Sequence, residues 1–282
     1  KMEKELIEIR EQQKTSWNKF SPGWKKWDDL FMEHLKPMGE EIINQLDLKD
    51  SDIVLDIAAG TGEPGLTIAS KVKSGKVIIT DLADDMLVIA HENAQKKKIN
   101  NVEFNACCVC ELPFEDNTFD AISCRLGFMF FPDMKLAVKE MTRVLKPGGK
   151  ISTSVWLGPE KNFWVTAMMG TINNNMQLPS PPAGAPGMFR CAGNDFMTGL
   201  FAEAGLKNIY HSEVTGKLNC GDADTYWTMM TALAAPVVAA LSGADDSTKE
   251  KIKYEVFETV NKKFPDGSIV IDSGSLVICG EK

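Results

Sequence analysis

A glycine-rich loop directly after a short apolar run is the feature that most constrains the fold of this chain. The run covers residues 53–59 and is followed by glycines at 60, 62 and 65, which satisfy the spacing G-x-G-x-x-G. Glycines at this spacing permit a tight strand-to-helix turn and let the backbone approach a ligand closely. Asp81 ends the next apolar run, about 20 residues further on, where a carboxylate can accept hydrogen bonds from both hydroxyls of a ribose. The sequence thus predicts an α/β fold that binds an adenosine-containing ligand.

Short β-branched runs alternate with helical patterns between residues 52 and 156, which is typical of a parallel sheet covered on both faces. Helices are predicted at 84–98 and 133–145, since each pattern opens on an aspartate and ends near lysines, and K-P-G-G at 146–149 ends the second. Right-handed crossovers make this an open, Rossmann-like doubly wound sheet, whose ligands lie beyond the carboxyl ends of the strands. The predicted strands of this region are 53–59, 76–82, 102–109, 119–127 and 150–156.

The flanking segments are predicted to add a cap, a lid and two more strands. Residues 1–50 are interpreted as a helical cap interrupted by a turn at Ser21-Pro22-Gly23, and the Pro- and Gly-rich stretch 178–187 as a loop or lid. One structural domain is expected, with the parts 1–50 (cap), 51–157 (ligand-binding core) and 158–282 (lid, final strands and helical insertion). The other predicted elements are a helix at 195–204, strands at 207–218 and 276–280, and helices at 222–242 and 247–264.

Length, charge and cysteine content narrow the class of protein. The chain has 282 residues, a formal net charge of −8 and 7 cysteines. An odd cysteine count without a signal peptide favours a reducing compartment, so a cytoplasmic location is expected, or an organelle matrix if a targeting segment has been removed. The acidic balance disfavours nucleic acid as a partner, and no apolar run approaches the roughly 20 residues that span a bilayer. A soluble protein with a small-molecule partner and no integral membrane contact is expected, as a monomer or a homodimer.

Two classes of adenosine ligand fit the glycine loop, and further motifs separate them. The glycines and Asp81 alone are equally consistent with a nicotinamide dinucleotide. The chain also contains V-L-D at 54–56 before G-T-G at 60–62, E-L-P-F-E-D-N-T-F-D at 111–120 and R-V-L-K-P-G-G at 143–149. In this order and spacing the motifs resemble the class I S-adenosylmethionine (SAM)-dependent methyltransferases, and more narrowly the ubiquinone/menaquinone-biosynthesis methyltransferase group. The resemblance covers residues 50–156, and its last two motifs have no role in a dehydrogenase.

The resemblance implies a cofactor, a sheet topology and a set of site residues. The cofactor is SAM, with S-adenosyl-L-homocysteine as its product, residues 51–157 are its binding core, and the seven-stranded sheet is mostly parallel with an antiparallel last strand. Gly60 and Gly62 are expected to lie against the methionine part of SAM. Asp56 is expected to brace the loop, and Asp81 to hold the ribose hydroxyls. The other expected cofactor contacts are Ala58, where the family often has glycine, Leu82, Met86, Cys108, Val109, Arg125 and Gly127.

Three cysteines crowd together at positions 107, 108 and 110. On a strand Cys108 and Cys110 share one face and Cys107 the other, and no C-x-x-C or nearby histidine completes a zinc site, so no metal is expected. The three are interpreted as small buried hydrophobic residues. The family normally has an adenine-binding acid where this chain has Cys108, and a thiol is a weak hydrogen-bond partner. Adenine recognition is therefore expected to depend on the Val109 backbone and on apolar stacking.

Aromatic and apolar residues predict a site for an apolar acceptor. Arg125, after the fourth predicted strand, is a candidate for binding the SAM carboxylate or a polar group of the acceptor, with a surface ion pair as the alternative. His34 is a weak candidate for a general base, although holding the acceptor in line with a sulfonium methyl can supply most of the acceleration. The candidate acceptor-binding residues are Trp17, Trp24, Trp27, Met129, Phe130, Trp156 and Phe163.

The leading hypothesis is an enzyme that transfers a methyl group from SAM to carbon or oxygen of a small, fairly apolar acceptor, such as a quinol, a phenol or a lipid-like molecule. Two alternatives stay open. One is a non-catalytic SAM-binding or assembly protein, which Cys108 favours, and the other is a dinucleotide-dependent oxidoreductase.

Overall fold

The structure is a computed structural model, and it describes residues 2–193 and 195–282. Within these residues there are ten α-helices and one seven-stranded sheet. The strands are β1 (Ile53–Ile57), β2 (Lys76–Asp81), β3 (Val102–Ala106), β4 (Phe119–Arg125), β5 (Leu145–Trp156), β6 (Lys207–Gly221) and β7 (Ile269–Glu281). The helices are α1 (Lys4–Lys26), α2 (Asp28–Leu46), α3 (Gly65–Lys71), α4 (Asp84–Lys96), α5 (Met134–Val144), α6 (Phe163–Asn175), α7 (Phe196–Glu203), α8 (Ala223–Leu233), α9 (Ala235–Ser242) and α10 (Asp246–Lys263).

The strands form one mixed sheet with β3 and β6 at its edges. The strand order is β3-β2-β1-β4-β5-β7-β6. Strands β1 to β5 run parallel, whereas β7 is antiparallel to both of its neighbours, β5 and β6. This arrangement confirms the predicted Rossmann-like α/β fold with seven strands and an antiparallel last strand. The chain order reverses on the two sides of β1, which is the switch point where open α/β sheets bind their ligands.

The centre of the sheet is buried on both faces. Leu55 of β1 pairs with Ile78 of β2 on one side and with Ile122 of β4 on the other. Leu55 and Ile122 have no exposed surface at all. Because helices cover both faces, the apolar signal of these strands is continuous instead of alternating, and this is why the sequence predicts them well. The rigid centre holds the carboxyl ends of β1, β2 and β4 side by side.

Helix α1 continues through the predicted turn at Ser21-Pro22-Gly23, so the expected interruption is wrong. Proline has no N–H to donate to the residue four positions back, which is Asn18. The Ser21 hydroxyl donates to the Asn18 carbonyl at 2.8 Å instead. At Gly23 a Cβ would overlap the carbonyl group of Ala232 in α8. The Ser21 hydroxyl therefore replaces the hydrogen bond that Pro22 cannot donate, and α1 continues through the proline. Gly23 allows α1 to pack closely on α8.

The third and fourth strands end earlier than predicted. Strand β3 ends at Ala106, and a short 3₁₀ turn covers Val109–Glu111. The cysteines at 107, 108 and 110 therefore lie in a loop, and the alternation of strand faces expected for them is wrong. Strand β4 ends at Arg125, and the next residue, Leu126, has a left-handed φ of +60°. Both strands lead into loops at the carboxyl edge of the sheet. Loops that a rigid scaffold positions in this way often carry functional residues.

Helices α8 and α9 replace the single helix predicted at 222–242. The chain is extended at Ala234, and Pro236 lies in the first turn of α9, where a missing N–H costs nothing. Among the described residues, no single helix has the length and apolar composition needed to cross a membrane. Only α8 and α9 taken together meet that test, and they are bent by 85° at their junction.

The rest of the second half differs from prediction mainly in the lengths of its elements. Helix α6 occupies residues for which no element was predicted, and β6 and β7 form a hairpin that is longer than the two predicted strands. The stretch 178–187 has neither helix nor strand, as predicted. Helices α7 and α10 lie within two residues of their predicted bounds.

Candidate active site

A cavity of about 420 Å³ lies at the carboxyl ends of β1, β2 and β4. Helix α1 covers it on one side. The junction of α8 and α9, together with Pro186, Gly187 and Met188, encloses it on another. Its volume is within the range of small-molecule sites, and it opens where doubly wound sheets bind their ligands.

The structure brings most of the predicted cofactor residues to this cavity. Asp56 and Gly62 are the two that do not line it. The predicted cofactor residues that line the cavity are Ala58, Gly60, Asp81, Leu82, Met86, Cys108, Val109, Arg125 and Gly127.

The glycine loop bends around the cavity in left-handed backbone conformations. Ala58, Gly60 and Gly62 have φ angles of +53°, +56° and +113°. A Cβ built at Gly60 would meet no heavy atom within 4 Å, so bare backbone borders open space there. A Cβ at Gly62 would come within 2.8 Å of the Leu66 side chain. Alanine bears a steric cost in the left-handed region that glycine does not, which explains physically why the family often has glycine at the position of Ala58.

Asp81 joins the end of β2 to the glycine loop. Its Oδ2 accepts a hydrogen bond from the Gly60 N–H at 2.9 Å, and its Oδ1 accepts one from the Ala83 N–H at 2.8 Å. Burial raises the pKa of Asp81, and these two N–H groups oppose the rise. Each carboxylate oxygen keeps a second lone pair. Asp81 can therefore accept hydroxyl donors from the cavity without releasing the loop.

Asp56 lies beneath the loop, where it connects three elements. Its carboxylate accepts hydrogen bonds from the Ser123 hydroxyl at 2.7 Å and from the Gly65 N–H at 2.9 Å. A Cβ at Gly65 would lie 2.5 Å from Asp56 Oδ2, so only glycine fits at this entry into α3. Complete burial raises the pKa of Asp56 to about 7. These contacts tie β1 to β4 and to the start of α3.

A second brace, which the sequence analysis missed, ties the cap to the glycine loop. Asp28, the first residue of α2, accepts hydrogen bonds from the Thr61 hydroxyl at 2.6 Å and the Asn93 amide at 3.0 Å. Asn93 also donates to the Thr61 carbonyl at 2.9 Å. Burial raises the pKa of Asp28. The Thr61 hydroxyl, between two glycines, is the one local sign of this contact in the sequence, because Asp28 and Asn93 are distant from it along the chain.

Arg125 is the basic side chain of the cavity. Its Nη2 donates to the Met32 thioether at 3.0 Å, and no carboxylate of the described residues forms an ion pair with it. Burial lowers the pKa of Arg125, whereas the charges of Glu63, Asp56 and Asp28 raise it. A thioether is a weak acceptor, so the strong donors of this guanidinium lack strong partners among the described residues. The site is therefore suited to an anionic group of a ligand.

Aromatic rings form part of the cavity wall. Trp17 of α1 packs edge to face on Phe130, with ring centroids 5.2 Å apart, and lies 6.0 Å from the ring of Trp24. Trp156 and Trp164 pack with centroids 5.1 Å apart. All five rings line the cavity.

Three predicted acceptor-binding residues do not line the cavity in the described structure. Met129 is fully buried, and its carbonyl accepts the Gly187 N–H at 3.1 Å. The ring of Trp27 lies under the Lys26 ammonium at 5.3 Å, and that of Phe163 under the Lys263 ammonium at 4.3 Å.

The structure does not bring His34 to the cavity. Its side chain is 1% exposed, packs against the rings of Phe31, Trp156 and Trp164, and forms a 2.6 Å hydrogen bond between Nε2 and the Ser273 hydroxyl. Burial, and to a smaller extent the Arg125 charge, lower the pKa of His34 to about 3. The imidazole is therefore neutral and part of the core, and its candidacy as a general base has no geometric support.

Sequence reasoning missed the cavity wall contributed by the α8–α9 junction and by Met188. Leu233, Ala235 and Ala239 lie at the junction of α8 and α9, and Met188 follows the loop 178–187. Uncharged residues of this kind carry no local sign of a binding role. Among residues 2–193 and 195–282 no group of three or more His, Cys, Asp or Glu side chains is placed to hold a metal ion.

The chain is similar to known proteins in both sequence and fold. A sequence model of the ubiE/COQ5 methyltransferase family matches residues 27–159. The demethylmenaquinone methyltransferase of Bacillus mycoides is 30% identical over 195 residues, which cover 64% of this chain and 79% of that protein. The Bacillus cereus protein of the same name is 36% identical over 122 residues, covering 43% of this chain and 51% of that protein. In fold, the YcgJ protein of Bacillus subtilis matches with a TM-score of 0.54 at 22% identity, covering 86% of this chain and 97% of that one.

The sheet order, the glycine loop and the acid at the end of β2 define the class of SAM-dependent methyltransferases. The chain belongs to the ubiE/COQ5 methyltransferase family. The resemblance deduced from the sequence motifs is thereby confirmed, and with it the enzyme class. The alternative of a dinucleotide-dependent oxidoreductase loses its support.

Proposed function

We propose that this protein binds SAM in the cavity between the glycine loop and α1 and transfers its methyl group to a small, planar, largely apolar acceptor of the quinol or phenol kind. The observation that carries this proposal is the mixed lining of the cavity. The glycine loop at Gly60, Asp81 and Arg125 supply polar groups, and tryptophans and Phe130 supply aromatic rings. The named Bacillus relatives, demethylmenaquinone methyltransferases, support an acceptor with a quinone-type ring.

The lining residues near the glycine loop fit SAM group by group. The Arg125 guanidinium, which lacks an ion-pair partner among the described residues, suits the carboxylate, and Asp81 suits the ribose hydroxyls. Met86 and Val109 offer apolar surface to the adenine, with Cys108 in the place where the family normally has an acid. When bound, SAM supplies an electrophilic methyl group on a sulfonium sulfur.

The aromatic rings of the lining are proposed to orient the acceptor and to exclude water. Flat rings on several sides restrict a planar molecule to a few orientations, and in-line positioning is the main source of acceleration for such a transfer. Trp24 lines the cavity, and its ring lies 6.0 Å from that of Trp17. No histidine lines the cavity in the part of the chain that the structure describes.

The proposal is tested by incubating the protein with methyl-labelled SAM and matched panels of quinols, phenols, amines and thiols. We expect labelled product from the quinol or phenol panel, at carbon or oxygen. Measurable SAM binding with no labelled product from either of those panels would overturn the acceptor class. It would favour a protein that binds SAM without catalysis.

Asp81→Asn is expected to weaken SAM binding by roughly tenfold, because a hydrogen bond to a charged group contributes about 1.5 kcal/mol or more. Titration calorimetry with SAM measures the change. Asp85→Asn is the matched control, since Asp85 is exposed in the same loop-to-helix region and does not line the cavity. If both variants bind SAM like the wild type, Asp81 does not hold the ribose.

A further inference from the structure

The loop after β3 is held in place by helix α5 at a point away from the cavity. The loop covers residues 107–112, and three of them, Cys107, Cys108 and Val109, line the cavity where the adenine of SAM is proposed to bind. At the other end of the loop, Leu112 is 5% exposed and contacts α5 through both of its backbone polar groups. The position of this part of the cavity wall therefore depends on residues of α5.

An ion pair on α5 makes both of these backbone contacts. The Leu112 N–H donates to Glu140 Oε2 at 3.0 Å, and the Leu112 carbonyl accepts Arg143 Nη2 at 3.0 Å. Arg143 also donates from Nε and Nη2 to the two carboxylate oxygens of Glu140, at 2.8 and 2.9 Å. A bidentate pair of this kind has a fixed, planar geometry, so the two side chains hold Leu112 as one unit, the Glu140–Arg143 clamp. Neither Glu140 nor Arg143 lines the cavity.

Further contacts fix the same loop at its start and in its middle. The Cys107 N–H donates to the Asp81 carbonyl at 3.0 Å. The Cys110 thiol donates at 3.4 Å to the carbonyl of Asp133, which is the N-cap residue of α5. The loop therefore spans the distance between the residue proposed to bind the ribose and helix α5.

The charges of the clamp strengthen its hold on the loop. The hydrogen bonds from Arg143, and to a smaller extent that from the Leu112 N–H, lower the pKa of Glu140 against the effect of partial burial. Hydrogen bonds to carboxylates, that of Glu140 first, raise the pKa of Arg143. Both side chains are thus charged at neutral pH, and hydrogen bonds to charged groups are stronger than those between neutral groups. The side chains of Glu140 and Arg143 are only 17% and 31% exposed, which limits the screening of their charges by salt.

We propose that Glu140 and Arg143 are positioning residues for the adenine of the cofactor, which fix loop 107–112 against the base and thereby set the preference for adenine over other purines. The inference rests on the proposed function, since it takes SAM to bind with its adenine at this loop. The effect passes from Leu112 to the cavity through the 3₁₀ turn Val109–Glu111. This turn is closed by a hydrogen bond from the Glu111 N–H to the Cys108 carbonyl at 3.0 Å, so it moves as a unit.

The position of the backbone matters in this chain because the side chain at position 108 is a thiol. A thiol is a weak hydrogen-bond partner for the exocyclic amine of adenine, so recognition depends on backbone groups such as those of Val109. A backbone group cannot adjust by rotation of a side chain and has to be placed by the loop itself. Adenine has an acceptor at N1 and a donor at N6, whereas hypoxanthine has a donor at N1 and an acceptor at O6. A displaced loop therefore distinguishes the two bases less well.

The test compares the affinities of S-adenosyl-L-homocysteine and S-inosyl-L-homocysteine, in which hypoxanthine replaces adenine, by calorimetry on the same samples. We expect the wild type to prefer the adenine compound. Glu140→Ala is expected to reduce the ratio of the two affinities by roughly threefold or more, the size of effect expected for one net hydrogen bond. Glu140→Gln keeps an acceptor for the Leu112 N–H and should restore part of the ratio. Arg143→Lys keeps the charge without the planar fork, so a reduced ratio is expected for it as well.

The ratio separates positioning from a loss of stability. A variant with fewer binding-competent molecules binds both compounds more weakly by the same factor, so its ratio does not change. Lys135→Met is the matched control, because Lys135 lies on the same helix and its 2.8 Å ion pair with Glu203 joins α5 to α7 instead of to the loop. The control should have the wild-type ratio.

The outcomes distinguish this inference from the proposed function. A wild type that binds neither compound contradicts the proposed function, and the inference with it. A wild type that binds S-adenosyl-L-homocysteine, together with a Glu140→Ala variant that keeps the wild-type ratio, contradicts the inference alone and gives the clamp a purely structural role. The same holds if the wild type binds both compounds equally well, or if Lys135→Met loses the preference as Glu140→Ala does.

Discussion

Arg125→Met is expected to weaken SAM binding by about 10- to 150-fold, since a hydrogen-bonded contact between charged groups contributes about 1.5 to 3 kcal/mol. The same substitution is expected to leave the melting temperature unchanged or to raise it. Arg125 is half-buried, and its hydrogen-bond partner in the described structure is the Met32 thioether, so its partial desolvation destabilises the fold of the free protein. Methionine at this position removes that cost. A substitution that weakens ligand binding without lowering the melting temperature is characteristic of a residue whose role is to bind the ligand.

Two further variants sharpen the Arg125 experiment. Arg125→Lys keeps the charge and loses the planar fork, so an intermediate affinity is expected. Met32→Leu removes the weak acceptor without removing the guanidinium and is the matched control, for which near wild-type affinity is expected. Calorimetry and thermal unfolding on the same samples give both quantities.

The ligand group that Arg125 binds is identified by a shortened cofactor. 5′-Methylthioadenosine has the adenosine and the sulfur of SAM but no amino-acid carboxylate. Its affinity should be the same for the wild type and Arg125→Met if the guanidinium binds the carboxylate. Equal SAM affinity in the two proteins would instead remove Arg125 from the cofactor site and leave the acceptor as its partner.

Asp56→Asn is expected to remove the loss of stability that ionisation of Asp56 causes in the wild type as the pH rises from 4 to 7. The pKa of Asp56 is about 7 in the folded protein because its carboxyl is fully buried, and a carboxyl in an unfolded chain has a pKa of about 4. The folded state therefore favours the protonated form. Its contribution to stability is complete below the unfolded pKa and is lost as the pH passes the folded pKa. A shift of three pKa units corresponds to at most about 4 kcal/mol.

Chemical denaturation of both proteins between pH 4 and pH 8 measures this effect. Asparagine can still accept the Gly65 N–H and donate to the Ser123 hydroxyl, so the brace beneath the glycine loop is retained. The quantity of interest is the difference in unfolding free energy between the two proteins at each pH, because the other titrating groups cancel in it. A difference that stays constant across this range would contradict a raised pKa for Asp56.

The central sheet and the cofactor edge were predictable from the sequence because their signals are local. Buried parallel strands appear as continuous apolar runs, and residues that follow such runs gather at one edge of the sheet. Asp81 and Gly60, which hydrogen-bond each other at 2.9 Å, could be assigned to one edge on this basis alone. The cap could not be predicted in the same way. The turn signal at Pro22 is overridden by a hydroxyl of the preceding residue, and that contact depends on the helix already being formed.

The remaining parts of the site depend on contacts between residues that are distant in the chain. His34 follows an aromatic segment and is only a weak candidate for a general base from the sequence, and its packing on Trp156 and Trp164 places it in the core. The hydrogen bond of Asp28 to Thr61 and the wall formed by Ala235 have no local sequence signature. Side chains of ordinary type acquire such roles only through the tertiary fold.

The position of β7 between β5 and β6 has a consequence for the synthesis of this protein. Strand β6 pairs with β7 alone, and β7 is translated after α8, α9 and α10. Until residues 269–281 have left the ribosome, β6 is an unpaired strand of 15 residues with both of its edges open. A nascent chain at this stage is exposed to wrong pairing and to chaperones. Because the cavity also needs α1 and the α8–α9 junction, this enzyme can acquire its cofactor only late, when nearly all of this sequence has been translated.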